Sequence, residues 1–327
     1  MESHQQDASG ITSQEVSGVS IYCGMDEARG QPIYFPFASG QYRMSLGLQT
    51  LSLDDWLKID DRFLHYLHQK QEQLAHHHAA SVLAIPGTED AQQELLDTLL
   101  EYLPSHFPTY FERQGATIVN LKTNQIWNPQ DFAKTPIDLA GRLVQEDLCL
   151  MTPNQDEYIL GAASVCFPLH WQPQDKIGQS VTHIHDPVPG YQQKLQRPVE
   201  TYFDRLRPEA PGCRFNWTVI GSPDLVLDSE TVRQFGEAIT SSSIPASIWI
   251  RVERQTLRKL PQTAAIVFSI RTYIYPLSLL EKYPQAASGL SQAVQQIPAP
   301  MKRYKNLAVL SETVRTYLDH IIYREQL

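Results

Sequence analysis

The sequence lacks the motifs that several common chemistries need. It has no GxGxxG after a strand, no GxxxxGK loop followed by Ser or Thr, and no GxSxG elbow. These absences argue against a self-contained NAD enzyme, an ATPase and a serine hydrolase. If the chemistry needs electrons, another protein is expected to bring them. Cysteine is scarce: Cys23, Cys149, Cys166 and Cys213 are scattered without CxxC spacing. That fits free thiols in a reducing cytoplasm better than a disulfide framework, with the last three as small buried hydrophobes. Basic charge is also short, 27 Lys and Arg against 36 Asp and Glu, a net charge of −9. Nucleic acid is therefore not the expected partner, because phosphate contact needs concentrated Lys and Arg. No apolar run approaches the ~20 residues that span a bilayer, so no membrane association is expected. Residues 1–30 lack the apolar stretch of a secretory signal. No repeat of fixed period is evident.

What remains is the composition of a soluble globular protein, 42% hydrophobic and 19% charged over 327 residues. That length holds one large or two ordinary domains. Residues 1–30 have little to bury and read as a flexible tail. Residues 31–112 read as a helical region packed on the core. Apolar spacing predicts a helix over 53–74 with Ser52 as N-cap, and another over 95–103 stopped by Pro104. From 113 to 276 the period changes. Strands are predicted at 117–120, 124–127, 148–151, 158–167, 213–221, 248–257 and 264–275, with a turn at 154–156 and helices at 137–145 and 197–206. Residues 277–327 close the chain with helices over 277–295 and 302–322. Strands joined largely by hairpins predict an α+β fold, an antiparallel sheet with flanking helices.

The run His183-Ile184-His185-Asp186-Pro187-Val188-Pro189-Gly190-Tyr191 sets two imidazoles beside a stiffened backbone. Imidazole ligates iron, zinc and copper and serves as a general base, while proline fixes φ. A Pro-rich surface turn with two solvated histidines explains the same residues equally well. Cupin-type HxH spacing fails, because Asp186 follows at once and the next acid is Glu200; HExxH is absent. His76-His77-His78, and His65 with His68, read as solvated helix residues. Haem needs only one protein imidazole, since the porphyrin fills four iron positions. It also needs an apolar slot and cations for its propionates. Phe167, Trp171, Ile177, Val181, Ile184 and Tyr191 offer the first; Lys176, Arg214, Arg251 and Arg254 offer the second. On a strand at 250–257, Arg251, Glu253 and Gln255 share one face and Val252, Arg254 and Thr256 the other. Such charge calls either for ion pairing at an edge or for a ligand.

Five ordered blocks carry a resemblance: Gln145-Glu146-Asp147-Leu148-Cys149-Leu150-Met151, Cys166-Phe167-Pro168 with Trp171, the His183–Gly190 run, Arg214-Phe215-Asn216-Trp217, and Arg251-Val252-Glu253-Arg254-Gln255-Thr256-Leu257. Together they resemble the haem-binding α-subunit of the haem-dependent oxidative N-demethylases, over most of 34–322. The resemblance implies a PAS-like core with haem b held by histidine, and monooxygenase-type oxidation of a small secondary amine such as dimethylamine. It further implies that O2 is consumed and formaldehyde released, with electrons arriving from NADPH through separate reductase subunits carrying flavin and an iron–sulfur centre. Carried onto this sequence, it makes His185 the first candidate for axial ligand and His183 the second. Lys176, Arg214 and Tyr191 become candidates for holding the cofactor. Arg251, Glu253 and Arg254 become candidates for shaping the distal or substrate side, with Glu253 neutralising a protonated amine. A non-catalytic haem sensor or carrier on the same fold is the rival expectation.

Overall fold

The computed structural model describes residues 12–16, 19–27, 29–155, 157–169, 171–227, 247–305, 307 and 311–325. Residues 1–11, 17–18 and 28 of the expected tail, Asp156 of the expected turn, and 306 and 308–310 of the expected last helix lie outside this set. Near the N-terminus, where the sequence reading expects a tail, β1 (Thr12–Val16) and β2 (Val19–Asp26) pair antiparallel, and β3 (Gln31–Tyr34) joins them.

A seven-stranded sheet forms the centre. Its strands are β4 (Gln49–Thr50), β5 (Val82–Ala84), β9 (Asp147–Asn154), β10 (Glu157–Ser164), β11 (Gly212–Ile220), β12 (Trp249–Lys259) and β13 (Ile266–Pro276). They lie in the order β4-β11-β12-β13-β9-β10-β5, and every pairing is antiparallel. The α+β architecture with antiparallel sheets therefore holds. The sheet draws β4 and β5 from 31–112, so that region is woven into the core. A smaller sheet of β6 (Phe111–Gln114), β7 (Thr117–Asn120) and β8 (Gln125–Trp127) sits beside it.

Alternation along the strands gives the central sheet two different faces. One face packs on α1 (Phe63–Ser81), α2 (Glu89–His106) and α3 (Pro136–Leu143). On α2, Leu95, Leu99 and Leu103 recur every four residues and are fully buried; each such burial stabilises the fold by about 1.5–3 kcal/mol. The other face carries Cys149, Met151, Leu257 and Ile266, and is covered by α4 (Val181–Ile184) and α6 (Gln196–Arg205), with α5 (Tyr191–Lys194) between them in the chain. At the closing end stand α7 (Pro284–Gln296), α8 (Ala299–Tyr304) and α9 (Ser311–Glu325).

Three helices depart from their predicted spans for identifiable reasons, and the helix predicted over 302–322 is interrupted, since Lys305 and Leu307 are not helical and α8 and α9 stand in its place. No helix spans 53–74: Ser52 caps only a 3₁₀ turn, Leu53–Asp55, and α1 begins at Phe63. The carbonyls of Asp55 and Trp56, which a continuing helix would use, instead accept from Arg254. The Asp60 carboxylate then accepts from the Arg62 N–H at 2.9 Å, a turn built by an aspartate. Pro104 does not stop α2, since it falls in the last turn and removes a single backbone bond. In the C-terminal segment, Pro284 starts a new helix at its N-terminus after a 3₁₀ turn at Leu277–Lys282.

Candidate functional site

The candidate site grows from the chain that leaves β10. Asp147 accepts from the N–H groups of both Cys166 and Phe167 at 2.9 Å, which fixes the exit. Arg251 Nη2 donates to the Phe167 carbonyl at 2.7 Å. The chain then returns to β10, where Leu160 N–H donates to Gln179 and Gly178 N–H donates to Leu160. Ser180 caps α4, its hydroxyl accepting from His183 N–H at 3.3 Å. Lys176 donates to the Ile184 carbonyl at 2.7 Å, closing the other end of that helix. Beyond it, Val188 N–H donates back to the His185 carbonyl at 2.9 Å. Gly190 sits at φ +81°, a left-handed conformation that glycine adopts without strain. This turn brings the Tyr191 ring onto His185, with centroids 4.6 Å apart and planes within 9°.

His185 and His183 are separated sharply by this geometry. His185 Nδ1 donates to the Val181 carbonyl at 2.7 Å. A carbonyl can only accept, so the proton is on Nδ1 and Nε2 carries the lone pair. Burial lowers the His185 pKa, with Arg214 and Lys176 pushing the same way against the bond to Val181. Both effects favour the neutral imidazole at neutral pH, with the ring fixed through Nδ1. The His183 side chain is 71% exposed and faces Asp186 Oδ2 at 3.8 Å.

The sheet face under this segment bears the remaining candidates. Registration sets Asn216 opposite Glu253, Arg214 opposite Gln255, and Thr272 beyond Glu253. Glu253 accepts from Gln255 Nε2 at 3.0 Å, Asn216 Nδ2 at 3.2 Å and Arg251 Nε at 3.4 Å, while 12% of its side chain stays open. Arg251 is fully buried and also donates to the Leu225 carbonyl at 3.0 Å. Arg214 Nε and Tyr191 Oη are both buried without a hydrogen-bond partner. Burial lowers the Arg214 pKa, opposed by Glu253 and Tyr191. Burial raises the Tyr191 phenol to about 12. Trp171, Ile177, Val181 and Ile184 pack into the same apolar cluster as the half-buried Phe268.

Two expected residues lie elsewhere. Arg254 points to the opposite face, onto the carbonyls of Asp55 and Trp56. Phe167 packs with the other core, its ring 5.7 Å from Tyr66. Sequence reasoning missed Asn216 as a site group, although it sits inside a quoted block, and it missed Lys305. Lys305 donates to Asn216 Oδ1 at 3.1 Å and to the Trp217 carbonyl at 2.8 Å. Only the tertiary packing of α8 brings it here.

These residues fit haem. Among the described residues, no three His, Cys, Asp or Glu side chains group to hold a bare metal ion, whereas a porphyrin needs one imidazole. The unpartnered Arg214 Nε and Tyr191 Oη can each donate to a carboxylate. Fold and site together define an α+β protein in which a histidine-bearing helical segment lies over a cation-lined sheet face. The family model described as haem-dependent oxidative N-demethylase, alpha subunit-like, matches residues 47–315. The chain belongs to that family, whose name marks it as an oxidative N-demethylase type that depends on haem and as one subunit among partners. Among the described residues, no helix is long and apolar enough to cross a membrane.

Proposed function

We propose that the chain binds haem b through His185 and oxidatively demethylates a small secondary amine of the dimethylamine type, as a cytoplasmic monooxygenase. The observation that carries this reading is the His185 imidazole, held by Val181 with Nε2 free. The antiparallel sheet with short helices across one face supports a PAS-like core. When bound, haem supplies an iron that binds and reductively activates O2. Arg214 and Tyr191 hold its propionates through their unpartnered donors, and Lys176 keeps α4 and hence His185 in place. Glu253, fixed by Arg251, Gln255 and Asn216, offers its open carboxylate edge to the substrate ammonium. Arg251 thereby acts as a positioning residue.

The overall reaction joins the amine, O2, two electrons and two protons, and yields a primary amine, formaldehyde and water. The methyl carbon is oxidised and its C–N bond breaks. The electrons come from NADPH through a separate reductase carrying flavin and an iron–sulfur centre. The chain's lack of nucleotide motifs supports that division of labour.

The test pairs a visible spectrum with turnover. A Soret band on haemin addition, and formaldehyde from dimethylamine with O2 and a reductant, are the expected results. A preparation that stays colourless with haemin overturns the reading. Haem binding without formaldehyde from any small methylated amine favours a sensor or carrier.

A further inference from the structure

Lys305, at the end of α8, turns its ammonium into the molecule and onto the face that bears Glu253. An ammonium only donates, so Asn216 must present its oxygen to Lys305 and therefore its amide N–H to Glu253. The two charges share one amide, and Glu253 is also reached by Gln255 and Arg251. We propose that Lys305 sets the specificity of this face, orienting Asn216 and opposing by its charge a cationic ligand at Glu253. This deepens the reading of Glu253 as the ammonium-binding group and rests on it.

The groups around Lys305 are Glu253 on β12, Arg214 on β11, and Tyr304 on its own helix, with Arg251 beyond Glu253. Burial pushes the Lys305 ammonium down to about 8, Arg214 adding to the shift and Glu253 opposing it. Below that pH the lysine is charged and opposes a second cation; above it the opposition ends.

The probe is tetramethylammonium, which does not itself titrate, followed by calorimetry on the full chain at pH 7 and pH 9. In the parent protein its affinity should rise on the order of tenfold between those pH values, the size expected for one nearby charge removed. Lys305→Met should bind tightly at both pH values, and Lys305→Arg weakly at both. Should Lys305→Met misfold, Lys305→Gln keeps a donor for Asn216 without the charge. Equal affinity in the parent and the neutral variants at pH 7, or no cation binding in any of them, overturns the proposal. Cation binding that behaves as expected without formaldehyde release would count against demethylation alone.

Discussion

His185 gives its Nδ1 proton to the carbonyl of Val181, four residues back, at 2.7 Å. That bond selects the tautomer, fixes the ring and leaves Nε2 as the donor atom. His183, two residues earlier, has no comparable support. His185→Ala should therefore abolish the imidazole-ligated haem spectrum, while His183→Ala should keep it. Visible spectra of the ferric and ferrous proteins check the assignment. Loss in His183→Ala with retention in His185→Ala would reverse it.

Arg214 and Tyr191 test the proposed propionate clamp. A buried cation with an unpartnered Nε is a cost to the haem-free fold. Arg214→Met should leave the haem-free melting temperature unchanged or raised, yet weaken haem binding by about tenfold or more, one charge-assisted bond being worth about 1.5–3 kcal/mol. Tyr191→Phe should keep the ring on His185 and weaken haem binding less. Competition with apomyoglobin measures both. If Arg214→Met binds haem as tightly as the parent, this clamp does not exist.

Much of the sheet was legible because its information is local. Alternation at Arg251–Gln255 placed those side chains on one face before any partner was known, and the registration with Asn216 and Thr272 agrees. The stiff run around His185 was equally visible. What stayed hidden depends on distant contacts. Arg254 reads like its neighbours, yet its face is decided by alternation and its role by the Asp55 and Trp56 carbonyls nearly 200 residues away. The same guanidinium explains why the apolar stripe over 53–74 does not form one helix. Lys305 reads as an ordinary surface lysine, because no spacing links it to Asn216.

On the opposite face, Arg271 meets Asp60 at 2.8 Å, both nearly inaccessible, with the Tyr66 ring 3.8 Å beneath the guanidinium. Removing one partner strands a buried charge, which costs about 3–5 kcal/mol. Asp60→Ala should lower stability by that amount, measured as a fall in the urea midpoint with unchanged slope. Because Asp60 also shapes the start of α1, a change below 1 kcal/mol would show that neighbouring groups take over both tasks.

Acidification should separate His185, the proposed ligand, from the rest. In the folded haem-free chain, burial holds the His185 pKa below its ordinary value of 6.5. As pH falls through 6.5, the unfolded chain takes up a proton that the folded chain resists. The unfolded state then binds more protons, so stability falls as pH drops from 6.5 through the folded pKa. His65 shifts in the same direction and contributes a parallel slope. The informative quantity is thus the difference between the parent and His185→Gln, which lacks the proton site. Urea midpoints at pH 7.5 and 5.5 should fall more steeply in the parent than in His185→Gln. Protons also compete with iron for Nε2, so haem affinity should weaken once the pH drops below the haem-free pKa, with release at lower pH still. Parallel slopes in the two proteins would mean that this imidazole is not held neutral by its surroundings, and the argument for Nε2 as a preset ligand would fail with it.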